Sequence, residues 1–458
     1  MTGGSVCDKI HERRESRSLS NKVGIRILAF STVLSITLAL GAGKAGPAKT
    51  QLELKGLRES VEIIKDKWGI AHITARNRHD LFFAQGYNVA TDRLFQLEMW
   101  RRQATGTAAE ILGEKALRRD IGARLLRFRG DIKQELASYH PDGEEIISTF
   151  IEGINAYVDR VSNNPGLLPV EFRLLGILPG RWTPEVVISR HNGLFDNAVS
   201  EIPLARGVLA VGPEKLREFL DLQPGNPDLR AAEGLDLSRL TDDVLALYRE
   251  ARSPLLFAPE DIADPAARAP APVSSLAPLL MPHAFGNPPK LPEGSNNWAV
   301  SGRLTRSGFP FLANDPHRRL QIPSLRYWVH LSAPGWNVIG GGEPALPGIS
   351  IGHNEHGAWG LTIFSNDQED LYVYSTDPRN PARYRYRDGW EEMKVAAENI
   401  QVKGAAPVEV ALKFTRHGPV LYEDTEKHLA VALRAAWLEA GCAPYLASLR
   451  MDQARSWP

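Results

Sequence analysis

From Val61 the chain reads Val-Glu-Ile-Ile-Lys-Asp-Lys-Trp-Gly-Ile-Ala-His-Ile-Thr74. Partial apolar–polar alternation and β-branched residues predict two strands around a turn near Asp66–Gly69. The period then lengthens. Asp80 stands where a helix cap is wanted, and Leu81, Phe82, Tyr87, Ala90, Leu94 and Leu97 give one apolar side to a helix reaching about Gln103. Helical patterning continues through residues 107–162 and stops at Asn163-Asn-Pro-Gly166. Residues 254–292 break the pattern, holding ten of the 32 prolines. Proline lacks an amide donor and restricts its predecessor, so no packed helix or sheet is expected there. Such a stretch is either an interdomain linker or an excised spacer, and position alone does not choose. From Ser295 the texture is β-rich, with strands expected at Trp298–Val300, Tyr327–Leu331, Val338–Ile339, Leu371–Tyr374 and Val408–Phe414. No fixed-period repeat is present.

The N-terminus adds a compartment. Lys22 and Arg26 precede an uncharged apolar run, Ile27–Leu40, followed by small residues at Gly41, Ala42, Gly43, Ala45 and Gly46. This is the layout of a secretory signal peptide, and the run is short for a mature membrane span. We therefore expect residues 1–45 to be a removable leader, with a periplasmic or secreted body that has no membrane association after cleavage. Lys plus Arg and Asp plus Glu balance at 54 each. Without the leader, 47 basic and 51 acidic groups remain. Neither count carries the basic excess of a nucleic-acid binder. The two cysteines, Cys7 and Cys442, leave one outside the leader and no internal disulfide to form.

Chemistry enters at Glu293-Gly-Ser-Asn-Asn-Trp298. A serine after glycine beside a proline-rich stretch is a commonplace turn residue when taken alone. Its neighbours change the reading. Ser295-Asn-Asn-Trp-Ala-Val-Ser-Gly302 is followed by Leu312-Ala-Asn-Asp-Pro-His317, Pro347-Gly-Ile-Ser-Ile-Gly-His-Asn354, Ala358-Trp-Gly-Leu-Thr362 and Arg416-His-Gly-Pro419. Upstream lie Asp92-Arg-Leu-Phe-Gln-Leu-Glu98 and Arg101-Arg102. In order and spacing these segments resemble the penicillin amidase family, which includes penicillin, cephalosporin and acyl-homoserine-lactone acylases. The resemblance spans roughly residues 60–458.

The resemblance implies an α+β fold of four αββα layers, the N-terminal nucleophile hydrolase fold. Its mostly helical first chain would run over 46–253, a spacer over 254–294, and a second chain from 295 to 458. Self-cleavage between Gly294 and Ser295 would expose the nucleophile. The physical logic is compact: a serine hydroxyl needs a base, and an N-terminal serine carries its own. An unperturbed α-amine has a pKa of about 7.7–8.0, close to working pH. His317 matches the family position beside the serine and is expected to orient it or its amine. The Ile363 N–H matches one oxyanion donor. The family's other donor, a downstream asparagine, lies beyond Pro458, so the chain reads as a truncated precursor.

Phe195 matches an aromatic substrate-pocket position, Arg318 stands where penicillin G acylases carry a pocket phenylalanine, and Leu194 replaces a gating arginine. A structural Ca²⁺ bridging the two chains is implied at Glu201, Asp367, the Glu369 carbonyl and Asp370; calcium prefers such oxygen ligands. The bland reading of these acidic residues is a solvated loop. His353 and His356 lie close together without an evident third ligand, so no zinc site is expected there. The implied reaction is hydrolysis of a β-lactam side-chain amide or another small-molecule N-acyl amide through acyl-Ser295, with no organic cofactor. Acyl-homoserine-lactone hydrolysis is the alternative within the family. Other readings are an inactive precursor, a non-enzymatic calcium-binding exported protein, and a conventional serine hydrolase, which the lack of a G-x-S-x-G elbow around any candidate serine disfavours.

Overall fold

Asn77, not Asp80, caps the first long helix. Its side chain accepts the Asp80 amide at 2.8 Å, and α1 runs Arg78–Thr105 before closing at Gly106. Asp80 is fully buried and works in the other direction: its two carboxylate oxygens accept the amides of Arg58 and Glu59 at 2.9 and 2.8 Å. A capping residue and a buried clamp of the incoming chain look alike in sequence, because both need a short acceptor ahead of an apolar stripe. All six residues of the predicted apolar side are buried.

This computed structural model describes residues 50–190, 197–220, 228–265, 268, 294–318, 321–364 and 366–456. The leader, residues 266–267 and 269–292 of the proline-rich segment, and Leu194 and Phe195 therefore lie outside the described residues. From Leu54 onward the chain forms one compact unit. Among the described residues, no helix is long and apolar enough to cross a membrane.

The predicted turn forms between β1 (Glu62–Lys65) and β2 (Ala71–Thr74), with Asp66 accepting the amides of Trp68 and Ile70. After α1 come α2 (Ala109–Leu112), α3 (Leu117–Leu125), α4 (Ile132–Tyr139) and α5 (Gly143–Asn163). Next are α6 (Val170–Leu175), α7 (Pro184–Val187), α8 (Asn197–Val211), α9 (Pro213–Phe219) and α10 (Ala246–Ala251). The rest is almost entirely strand: β3 (Ser295–Val300), β4 (Phe311–Pro316), β5 (Tyr327–Ala333), β6 (Trp336–Gly342), β7 (Ile351–Asn354) and β8 (Ala358–Trp359). Then follow β9 (Glu369–Asp377), β10 (Asn380–Tyr386), β11 (Gly389–Glu392), β12 (Lys394–Ile400), β13 (Val408–Thr415), β14 (Gly418–Asp424) and β15 (Leu429–Ala435), with a short α11 (Ser448–Met451).

Two sheets result. The first has the order β1-β2-β5-β6-β7-β8, and its β2–β5 pairing is parallel. The second, β11-β10-β9-β15-β14-β13-β12, is antiparallel throughout. Each sheet has its own helical layer. Phe82, Phe150 and Ile154 of α1 and α5 pack with Ile73, Val329, Leu331 and Val338 of the first sheet. Leu125, Ile202 and Tyr248 of α3, α8 and α10 pack with Val431, Leu433 and Trp437 on the second. The helix-then-strand division of the α+β fold is thus present. β3 and β4 pair only with each other.

The α1–α5 contact depends on two glycines. A Cβ at Gly86 would lie 2.0 Å from the Phe150 carbonyl oxygen, and one at Gly153 would lie 2.0 Å from that of Phe83. The two backbones therefore touch, and no side chain fits between them. Gly86→Ala should destabilise the protein by about 2–3 kcal/mol through overpacking, seen as a lower urea midpoint at unchanged slope. An unchanged midpoint would mean the helices can separate freely.

Candidate active site

Ser295 opens β3, opposite Pro316 of β4. The ladder reaches one residue further: the His317 amide donates to the Gly294 carbonyl at 2.9 Å. The Gly294–Ser295 peptide thus sits at the open end of a two-stranded hairpin, with its carbonyl oxygen already facing a donor.

The Ser295 hydroxyl is held from two sides. Its Oγ accepts the Ile363 amide at 3.0 Å and donates to Thr362 Oγ1 at 2.8 Å. The Thr362 hydroxyl donates back to the Ser295 carbonyl at 3.0 Å. The Ser295 nitrogen is a peptide amide in this structure and is not itself a base. Ile363, expected as an oxyanion donor, thus has its N–H on the Ser295 hydroxyl. Thr362, which stands in a quoted motif but was given no role, is the missed partner.

Asn314 brings the two segments together. Its side-chain amide accepts the Leu361 amide at 3.2 Å and donates to the Leu361 carbonyl at 2.8 Å. This copies a strand ladder with one side chain and locks residues 361–363 against the hairpin. The approach is close: a Cβ at Gly360 would lie 2.6 Å from Asn297 Nδ2 and 2.9 Å from Asn314 Cγ. The only sequence signal for Asn314 was its place in Leu312-Ala-Asn-Asp-Pro-His317.

His317 is beside the serine along the chain but on the other face of the hairpin. Opposed residues share a face and faces alternate, so His317 lies with Asn296 and Asp315. Its Nε2 is 3.2 Å from both Asn296 Nδ2 and Asp315 Oδ2, and its imidazole bonds these rather than the Ser295 hydroxyl. Its contact with the reacting centre is through the main chain. Arg318 turns its guanidinium onto the His317 carbonyl at 2.8 Å.

Gly348-Ile-Ser-Ile-Gly352 carries the letters of a nucleophile elbow. Ser350 is nevertheless buried, its hydroxyl points at Glu343 Oε2 at 3.4 Å, and the chain continues into β7 rather than a helix. An elbow requires an exposed serine on a strand-to-helix turn.

The acidic group lies where α8 meets β9. Asn197 and Asn366 bond across the junction, the Asn197 side chain also accepts the Gln368 amide, and the Ala198 amide donates to Glu369 Oε2 at 3.0 Å. The Glu369 side chain is buried and also receives Tyr248 Oη at 2.8 Å and Trp437 Nε1 at 2.7 Å. Glu201 is pushed up to about 7 by burial first, then by the charges of Asp370, Asp367 and Glu369. The Arg252 guanidinium reaches Glu369 Oε1 at 3.7 Å, and crowded carboxylates of this kind are a donor set that suits a hard divalent ion. Among the described residues no three acidic, imidazole or thiol side chains converge into a closed coordination shell.

An α+β chain whose accessible serine opens a strand against a backbone N–H has the layout of an N-terminal nucleophile hydrolase. The penicillin amidase family matches residues 60–458, and the chain belongs to that family. It is 31% identical over 395 residues to penicillin acylase 2 proenzyme of Pseudomonas sp. (strain SE83), covering 85% of this chain and 47% of that protein. It is 28% identical over 420 residues to penicillin G acylase of Escherichia coli, covering 87% and 50%. Acyl-homoserine lactone acylase QuiP of Pseudomonas aeruginosa is 31% identical over 373 residues, covering 80% and 41%. The chain thus spans about half the length of the relatives it matches. A solved thermostable penicillin G acylase from Alcaligenes faecalis aligns over 35% of this chain and 29% of its own, at 29% identity and a TM-score of 0.33.

Two measurements follow from the acidic junction. Glu369→Ala strands three buried donors and should cost about 3–5 kcal/mol in a denaturant melt. The raised Glu201 pKa means the folded state holds its proton more tightly than the unfolded one. In calcium-free protein, stability should therefore fall as pH rises from about 4.5 to about 7, and Glu201→Gln should flatten that slope.

Proposed function

We propose that this chain is an acylase-like amidohydrolase that activates itself by cleaving Gly294–Ser295. The observation that carries the reading is the Ser295 hydroxyl, held 3.0 Å from the Ile363 N–H at the accessible start of β3. In the first step Oγ attacks the Gly294 carbonyl carbon, whose oxygen the His317 N–H already holds. The peptide C–N bond breaks, the hydroxyl proton passes to the departing nitrogen, and an ester forms on Oγ. Water then hydrolyses that ester, leaving a Gly294 carboxylate and a free Ser295 amine.

That amine is the base for turnover. It takes the proton as Oγ attacks a substrate amide, then returns it to the leaving amine. The Ile363 N–H shifts from Oγ to the oxyanion on the adjacent carbon and is the oxyanion donor this chain supplies. Water finally releases the acyl group.

The substrate class is a small N-acyl amide, with the side-chain amide of a β-lactam first. The penicillin acylases among the relatives support it, and the likeness to acyl-homoserine lactone acylase QuiP supports a fatty-acyl amide as the second reading. Phe195 and Arg318 are assigned to the acyl pocket. A structural calcium would be held by the side chains of Glu201, Asp367 and Asp370 and the Glu369 carbonyl, neutralising the crowded carboxylates and pinning α8 to β9. The leader sequence supports export to the periplasm or beyond.

Intact-mass analysis tests the first step. The parent should yield two polypeptides, the second beginning at Ser295, whereas Ser295→Ala should remain joined at that bond and release no acyl group from an N-acyl amide. Cleavage of the alanine variant at the same bond would assign the reaction to another group.

A further inference from the structure

We propose that His72 and His330 form a binding site for one late first-row divalent transition-metal ion, Cu²⁺ or Zn²⁺, on the first sheet. The two residues are register partners in the parallel β2–β5 pair. Their rings meet edge to face, and their Nδ1 atoms lie 3.1 Å apart.

The outer side of each ring determines what lies between them. His330 Nε2 is 2.9 Å from Asn337 Oδ1. The orientation of that amide is set by its other end, where Asn337 Nδ2 donates to Glu355 Oε1 at 2.9 Å. An amide oxygen only accepts, so His330 carries its proton on Nε2 and leaves Nδ1 as a lone pair. His72 Nε2 lies 3.7 Å from Asp66 Oδ2, within ion-pair but not hydrogen-bond reach, so its proton can sit on either nitrogen. With the proton on Nδ1 the two rings share one N–H···N hydrogen bond across 3.1 Å. With it on Nε2 both rings turn lone pairs toward each other, and a cation that spans both nitrogens takes the place of that proton.

A transition-metal ion meets the requirement. Metal–imidazole bonds of about 2.0–2.1 Å at cis or tetrahedral angles place two nitrogens about 2.9–3.4 Å apart. Imidazole pairs suit late first-row divalent ions over Ca²⁺ or Mg²⁺. The Asp66 and Asn337–Glu355 contacts are the outer partners that fix tautomer and ring orientation around such an ion. Because no three acidic, imidazole or thiol side chains converge among the described residues, water completes the shell. The His72 side chain is 36% exposed, so the ion has access. This site is separate from the acidic junction at Glu201 and independent of the catalytic reading. If the chain cleaves as proposed above, the ion would also join a strand from before Ser295 to one from after it.

The test is Cu²⁺ titration of the chelator-stripped full chain, followed by electron paramagnetic resonance. The parent should bind one equivalent with nitrogen splitting from two imidazoles, and Cu²⁺ should displace pre-bound Zn²⁺ while Ca²⁺ should not compete. His72→Gln and His330→Gln should each lose at least tenfold in affinity, and a His353→Gln/His356→Gln double variant should bind as the parent does. Asn337→Ala keeps both ligands, so it should retain the two-nitrogen signature with affinity lowered by about 10-fold or more. Circular dichroism checks that each variant is folded. Parent-like binding by folded His72→Gln or His330→Gln, or no micromolar binding by the parent, overturns the proposal.

Discussion

The site depends on one side-chain amide. β3 and β4 pair only with each other, so the backbone ladder of neither sheet carries Ser295 into place. Asn314 supplies the missing ladder by bonding both polar groups of Leu361. A two-stranded hairpin is marginal alone, and here a residue on its inner edge ties it to the segment after β8. Once Leu361 is fixed, the next two residues place a hydroxyl and an amide on Ser295 Oγ. The Ser295 hydroxyl is therefore positioned by the neighbour of a neighbour.

The second constraint is the way residues before and after Gly294 interlock. The parallel β2–β5 pair puts a strand from each side into one sheet. At the second sheet, Glu369 gathers donors from α8, α10 and Trp437. A third junction is the buried Arg190–Glu135 pair at 2.6 Å, which also takes the Trp437 and Glu439 carbonyls and the Gly441 amide. Such a pair contributes little net energy, but removing either partner leaves a stranded charge. These contacts are what would keep two chains together after a backbone cut.

Much of the fold was legible where one physical signal dominated. Period-3.6 patterning located α1 and α5, and alternation located β1, β2, β5 and β13. The central strand β15, Leu429–Ala435, was not expected, because a strand buried on both faces shows no alternation to read. The edge strands β11 and β12 escaped for the opposite reason: polar, exposed edge strands carry little apolar pattern. At the site, Ser295 and Ile363 were legible through motif and resemblance. The side of the hairpin taken by His317 was not, since it depends on a register that only the fold supplies.

By itself, the sequence determined the family, the candidate serine, and the division into a helical and a strand-rich half. Those properties reside in local periodicity and in motifs read along the chain. Only the tertiary structure decided that Thr362 holds the serine, that Asn314 holds Thr362 in reach, and that His72 faces His330 across 258 residues. Each is a contact between segments remote in sequence. Distance along the chain gives no measure of distance in space until strand register and layer packing are set.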